Sequence, residues 1–370
     1  MNHVSEVYSD FPFNDHDINH FFLGGGNMNT DSDNKKTSFA CRICGNTSNN
    51  KKFVIREMMF GYNDLFPYFE CASCGCLQIE NVPPDMTRYY PGSYYSFKAR
   101  SSPVEPQSFI PKLRRLLRRK IDNIVTFQKR FSPILKHIFP DHTLIRTLKH
   151  YLPPNGLSGT DIKENSRVLD LGCGSGKLLL ALNRAGVKNL LGVDAYIEKD
   201  IEYSKNFKIL KSTIGQIEGS FDCIMFHHSF EHIENPIFTL KKVSRILSPN
   251  GFCLIRIPIV SSYAWEHYRE NWVQLDAPRH FFLHSLDSMK YLAKEASLKI
   301  DRIVYDSNDF QFWASEQYLK NIPLFSERSF QVNQSNSLFS PEEIKLFEQK
   351  AQKLNETCLG DQAAFYLSPI

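Results

Sequence analysis

The sequence predicts an α/β protein built on a doubly wound, mostly parallel sheet, with a small cysteine module ahead of it. Three observations carry this. Val168 to Gly176 reads Val-Leu-Asp-Leu-Gly-Cys-Gly-Ser-Gly, an apolar strand that ends in an acid and enters a glycine-rich turn. A helical pattern follows, then a second apolar strand closed by Gly192-Val193-Asp194. Upstream, Cys41-x-x-Cys44 and Cys71-x-x-Cys74 are separated by 26 residues, each pair followed by glycine. A strand–loop–helix–strand unit of this kind builds a nucleoside pocket at the carboxyl edge of a parallel sheet.

Residues 1–37 are polar and aperiodic, and read as a disordered tail with no basic-then-apolar leader pattern. Residues 38–96 form the zinc-binding module. Paired thiolates two residues apart, each in a tight turn, set Cys41, Cys44, Cys71 and Cys74 tetrahedrally around one structural zinc. So short a module has little core and needs that staple. Cys76 is a spare thiol able to compete with Cys74. The tyrosine-rich run from Arg88 through Tyr89 to Tyr95 reads either as a ligand groove or as a turn packed on the next domain.

Residues 97–155 form a basic helical linker. Phe97 to His150 carries 13 Lys or Arg against three acids, although the net charge of the whole chain is only +4. Over 111–137, apolar residues recur at helical spacing opposite Arg114, Arg115, Arg118, Arg119 and Lys120. Such a helix either docks on its own protein or lies on an anionic membrane surface.

From 156 to 370 the pattern is strand and helix in alternation. Strands are expected at Arg167–Leu171, Leu190–Asp194, Lys208–Lys211, Asp222–His227, Phe252–Ile257 and Leu298–Tyr305. Helices are expected from Lys177 to about Ala185, at Pro236–Leu247 and at Ser285–Ala296. Ser248-Pro249-Asn250-Gly251 reads as a breaker cluster. Ser340-Pro341-Glu342-Glu343 is a helix start that should run to about Asn355, and Gln362–Leu367 a last strand.

The glycine spacing narrows the ligand. A pyrophosphate site wants Gly-x-Gly-x-x-Gly; here Gly172, Gly174 and Gly176 make Gly-x-Gly-x-Gly, directly after Asp170. A carboxylate there suits an ammonium group, and Asp194 is placed to accept ribose hydroxyls. S-adenosylmethionine has a ribose, an α-ammonium and no phosphate. On these residues, and on Phe221-Asp222-Cys223-Ile224-Met225-Phe226-His227-His228-Ser229-Phe230-Glu231-His232-Ile233, the chain resembles the class I S-adenosylmethionine-dependent methyltransferases. The resemblance implies a Rossmann-like, seven-stranded sheet whose antiparallel last strand slots between the fifth and sixth, with a helical insertion at about 308–357. It also implies a cofactor set of Asp170, Gly172, Cys173, Gly174, Gly176, Asp194, Ala195 and His227. Near the adenine, Ser212 and Thr213 are the nearest polar residues. With its cysteine module, the chain is similar to sugar methyltransferases of deoxysugar, capsule and lipopolysaccharide pathways.

Methyl transfer to a hydroxyl or a carbon acid needs a base on a loop beside the cofactor. His228, after the fourth strand, and His280, with Asp276 four residues earlier and Arg279 beside it, are the candidates. Glu231 and His232 read as capping or orienting the next helix, and His284 as structural. No catalytic-metal pattern occurs.

The expected protein is thus a cytoplasmic methyltransferase with zinc and S-adenosylmethionine, acting on a small-molecule or glycan acceptor, in contact with a membrane surface if 111–137 lies on one. A nucleic-acid methyltransferase or binder is the alternative, argued against by the modest charge and by the missing Asn-Pro-Pro-aromatic pattern. A nicotinamide oxidoreductase is opposed by the glycine spacing.

Overall fold

The computed structural model describes residues 40–90, 157, 160–336 and 338–370. The tail, the basic helix 111–137 and Tyr94–Tyr95 of the tyrosine run lie outside them. The cysteine module holds β1 (Lys51–Arg56), β2 (Leu65–Glu70) and β3 (Leu77–Ile79), an antiparallel meander. Then come β4 (Arg167–Leu171), α1 (Lys177–Arg184), β5 (Asn189–Asp194), β6 (Ile201–Ser204), β7 (Phe207–Lys211) and β8 (Phe221–His227). After these follow α2 (Pro236–Ile246), β9 (Leu247–Pro258), α3 (Tyr263–Tyr268), β10 (Phe282–Leu283), α4 (Leu286–Glu295) and β11 (Leu298–Tyr305). The chain closes with α5 (Phe310–Leu319), α6 (Pro341–Glu356) and β12 (Gln362–Pro369).

The large sheet runs β11-β12-β9-β8-β4-β5-β7-β6. Its centre, β9 to β7, is parallel. β12 lies antiparallel between β9 and β11, the slot expected for the last strand. The sheet has eight strands rather than seven, because β6 adds an antiparallel edge to β7.

Alternation along the central strands fills both faces. In β8, Ile224 and Phe226 join the core on one face, and Cys223 and Met225 the core on the other. Burial on both sides is what a parallel sheet between helices requires. β9 reaches back to Leu247, but its pairing with β8 jumps from Phe221↔Leu247 to Cys223↔Phe252, so Ser248-Pro249-Asn250-Gly251 interrupts the ladder as its residues imply. Gly251 permits this, because a Cβ there would stand 2.9 Å from the Phe221 carbonyl.

The helix ends are capped, at Ser340 as the sequence implies. Ser285 and Ser340 each make a capping box, with Ser288 and Glu343, and Pro341 opens α6. Asn235 caps α2 by accepting from the Phe238 amide.

The module is joined to the rest through a shared sheet: β10 pairs antiparallel with β3, giving the order β1-β2-β3-β10. Among the described residues no helix is long and apolar enough to cross a membrane.

Candidate active site

A cavity of about 840 Å³ opens at the carboxyl edge of β4, β5 and β8. The glycine loop forms one wall. Gly172, Gly174 and Gly176 all have positive φ, at 73°, 52° and 74°. Side chains are excluded there for a second reason. A Cβ on Gly172 would come within 2.4 Å of Ser229 Cβ, and one on Gly176 within 2.3 Å of Ile209 Cδ1. Gly176 therefore shapes the loop from behind and does not line the cavity; Gly172, Cys173 and Gly174 do.

The two acids stand as the sequence places them. Asp194 accepts at Oδ2 from the Gly174 amide and at Oδ1 from the Tyr196 amide, both at 2.8 Å, so the loop itself orients the carboxylate. Asp170 is 2% exposed. Burial, then the nearby Asp194, raises its pKa to about 8. A ligand cation placed beside this buried acid would favour its ionised form. Ala195 and His227 line the same cavity, as do Ser212, Thr213, Ile214 and Phe238. Burial, then Arg256, holds His227 neutral down to about 3.

The predicted base residues divide. His228 lines the cavity, but its Nε2 accepts from Arg256 Nη1 at 2.7 Å. Its Nδ1 therefore carries the proton and stands 3.6 Å from Glu231 Oε1, beyond hydrogen-bond length. His280 and Asp276 stand behind the wall. His280 donates from Nδ1 to the Gln274 carbonyl at 2.7 Å, and its Nε2 is 3.8 Å from both Glu231 Oε1 and Asp276 Oδ2. Burial, then His232, lowers His280 to about 4.

Asp276 does not orient His280 through a hydrogen bond. It belongs to Arg279, which reaches it from Nε at 3.0 Å and from Nη2 at 2.6 Å. Burial pushes Asp276 up, but Arg279 and His280 outweigh it and hold the acid below its ordinary range.

Glu231 and His232, read as helix-orienting, both stand at the cavity wall or directly behind it. Glu231 is fully buried, and among the described residues neither carboxylate oxygen has a hydrogen-bond partner. Burial opposes its charge, yet His228, His232 and His280 bring its pKa down to about 2. His232 lines the cavity, and its Nδ1 donates to the Arg279 carbonyl at 2.7 Å. A carbonyl cannot donate, so the neutral ring keeps its lone pair on Nε2. The sequence signal was there, an acid and an imidazole directly after the loop of β8. Its meaning depends on Arg279, 47 residues away.

The four cysteines converge. Sγ of Cys41 and Cys74 are 3.6 Å apart, those of Cys44 and Cys71 3.5 Å, and all four lie within 4.8 Å. Four thiolates about 2.3 Å from one tetrahedral ion are spaced about 3.8 Å from each other, so the set fits zinc. Gln78 Nε2 and the Ile43 amide donate to Cys41 Sγ, as donors do around a metal-bound thiolate. Cys76 is buried and stands outside the four.

Comparison with known proteins follows the same lines. A family model described as a methyltransferase domain matches residues 136–303. The ubiquinone biosynthesis O-methyltransferase of Maricaulis maris is 30% identical over 110 residues, covering 27% of this chain and 43% of that protein. An uncharacterized methyltransferase of Schizosaccharomyces pombe is 30% identical over 96 residues, 24% of this chain and 38% of its own. The chain spans less than half the length of the curated relatives it matches. A methyltransferase structure from Archaeoglobus fulgidus, described as SAM-dependent, aligns with 66% of this chain and 98% of its own, at 18% identity and TM-score 0.35. Residues 136–303 thus match a methyltransferase domain, and the sheet order and the glycine loop with its two acids agree with that match.

Proposed function

We propose that the protein transfers a methyl group from S-adenosylmethionine to a hydroxyl of a sugar acceptor. The observation that carries the reading is the juxtaposition, in one cavity, of the Asp170–Asp194 glycine-loop wall with His232, whose tautomer is fixed. S-adenosylmethionine supplies an already activated methyl group. Asp170 holds its ammonium, Asp194 its ribose, and Ile214 with Phe238 the adenine edge. The acceptor enters past Tyr90 and Tyr196, whose rings stack at 5.9 Å and 13° beside Glu234 and Asn235. An aromatic platform with polar neighbours suits a sugar, which has apolar C–H faces and hydroxyl edges.

His232 Nε2 takes the hydroxyl proton as the oxygen attacks the methyl carbon. The fixed negative charge of Glu231 favours the imidazolium that forms. His228, its lone pair used by Arg256, helps frame the pocket. Zinc held by Cys41, Cys44, Cys71 and Cys74 is structural in this reading and keeps the module folded against the site.

A second reading has one supporting observation. The curated relatives whose names specify a reaction are O-methyltransferases of ubiquinone biosynthesis, so a phenolic hydroxyl is the competing acceptor. A panel of nucleotide sugars and catechols, assayed by mass spectrometry for methyl gain, separates the two. Methylated catechol without methylated sugar overturns the first. Absence of S-adenosylhomocysteine binding by calorimetry overturns both.

A further inference from the structure

The base and the cysteine module are joined by a buried guanidinium that the cofactor chemistry does not require. Arg279 is fully buried and spans both parts of the protein. Its Nη2 donates to Asp276 Oδ1 and, at 3.0 Å, to Glu57 Oε1 in the loop after β1; its Nη1 donates to the Tyr89 carbonyl at 3.2 Å. The guanidinium also sits 5.2 Å from the centre of the Phe60 ring. With the bond from Nε to Asp276, four of the five N–H groups of the fork are committed, and a guanidinium held bidentately has little freedom left.

Glu57 is fixed just as firmly. It is fully buried and accepts from the Phe60 amide at 3.0 Å and the Tyr62 amide at 2.9 Å. A buried carboxylate with two main-chain donors and one guanidinium is an anchor point. What it anchors is the segment whose carbonyl, at Arg279, holds His232 Nδ1. A second line reaches the same imidazole from the module, since Tyr90 Oη is 3.3 Å from His232 Nδ1 and Tyr90 adjoins the Tyr89 carbonyl that Arg279 grips.

We propose that Glu57, on the cysteine module, is a positioning residue for methyl transfer: through Arg279 it places the carbonyl that selects the basic tautomer of His232. The module then contributes to the reaction and is more than a staple for folding. Free imidazole favours the proton on Nε2, which would leave no lone pair on that nitrogen; the Arg279 carbonyl imposes the opposite tautomer. Loosening the clamp lets the ring drift back.

This rests on His232 as the base; the tautomer test itself needs no acceptor, and only the separate check on the base does. Full-length protein with ¹⁵N-labelled histidine and bound S-adenosylhomocysteine is read by NMR at alkaline pH, where the imidazoles are neutral and the two ring nitrogens report the tautomer. His232→Asn assigns the signal. The wild-type ring is expected as Nδ1–H. Glu57→Gln, which keeps the size and loses the charge, is expected to raise the Nε2–H population about fivefold, roughly what one hydrogen bond is worth in an equilibrium. Arg279→Lys, a point charge without the fork, should do the same and stands in if Glu57→Gln does not fold. Phe69→Leu, a core change in the module away from the clamp, should lower Tm and leave the tautomer alone. An unchanged tautomer in both clamp variants overturns the proposal. So does Nε2–H in the wild type, or an equal shift in Phe69→Leu. If the tautomers behave as expected but His232→Asn still transfers methyl at the wild-type rate, the base reading fails and the clamp stands.

Discussion

Arg256 gives Nη1 to His228 Nε2 at 2.7 Å and Nε to Asp306 Oδ2 at 2.6 Å, so His228 is a held residue with its lone pair already used. His232, by contrast, has Nδ1 engaged and Nε2 open. Substituting the two should therefore have unequal effects. His232→Ala is expected to lower kcat by about 10²–10⁴, the usual span for a general base. His228→Ala should cost about tenfold, through loss of framing. Steady-state rates at saturating cofactor check this, and equal losses would remove the distinction.

Asp170 predicts a proton released on cofactor binding. In the empty site burial and Asp194 raise its pKa to about 8, so it is mostly protonated at pH 7. A bound ammonium favours the ionised form, and the proton must leave. Affinity for S-adenosylhomocysteine should rise with pH up to about 8 and then level. Calorimetry at pH 7 in buffers of different ionisation enthalpy should report close to one proton released, and Asp170→Asn should abolish it.

The same shift has a stability counterpart of opposite sign. The folded pKa lies above the unfolded one, so between about 4 and 8 the folded state binds more protons. Stability from this group falls as pH rises through that window, and it is lowest above it. Asp170→Asn should flatten that part of the pH profile of Tm in the cofactor-free protein. Bound cofactor should flatten it too.

In the proposed function Asp194 holds the ribose, and its two main-chain bonds tie its carboxylate to the glycine loop and to Tyr196. Asp194→Ala is expected to weaken S-adenosylhomocysteine by at least about 2 kcal/mol, roughly thirtyfold. Asp194→Asn should fall between, since an amide keeps one acceptor oxygen. Titration calorimetry distinguishes them.

Purified protein should contain one zinc per chain by elemental analysis, and Cys71→Ser should lose it. Structural zinc in small modules is worth about 10–16 kcal/mol of apparent binding energy, so chelation should unfold the module and lower Tm. Retention of Tm after complete zinc removal would contradict the structural role.

The parts legible in the sequence are those fixed by local spacing. Asp170, the glycine loop and Asp194 stand within one strand–helix–strand unit, so their register in sequence is their register in space. The cysteine pairs were readable for the same reason. β6 was not, because its alternation of Ile201 and Tyr203 with Glu202 and Ser204 spans only four residues, none of them fully buried. The reach of β9 back to Leu247 was hidden by the turn-type residues 248–251, which stand out of the ladder between Leu247 and Phe252. Arg279 could be seen as part of a polar cluster with Asp276 and His280. Its contact with Glu57 could not, since 222 residues separate them. The role proposed for His232 was hidden with it, because an imidazole's usable nitrogen is decided by whatever holds the other one.

The pairing of β10 with β3 sets a rule for anyone dividing this chain. Cutting between the cysteine module and the rest would not yield two autonomous pieces. It would strip Phe282 and Leu283 of their hydrogen-bonded neighbour and uncover a bare apolar strand edge. Such an edge recruits copies of itself, so the shortened protein is expected to precipitate before it can be assayed. Family boundaries drawn by sequence match, beginning at 136, run through a unit that has to be expressed whole.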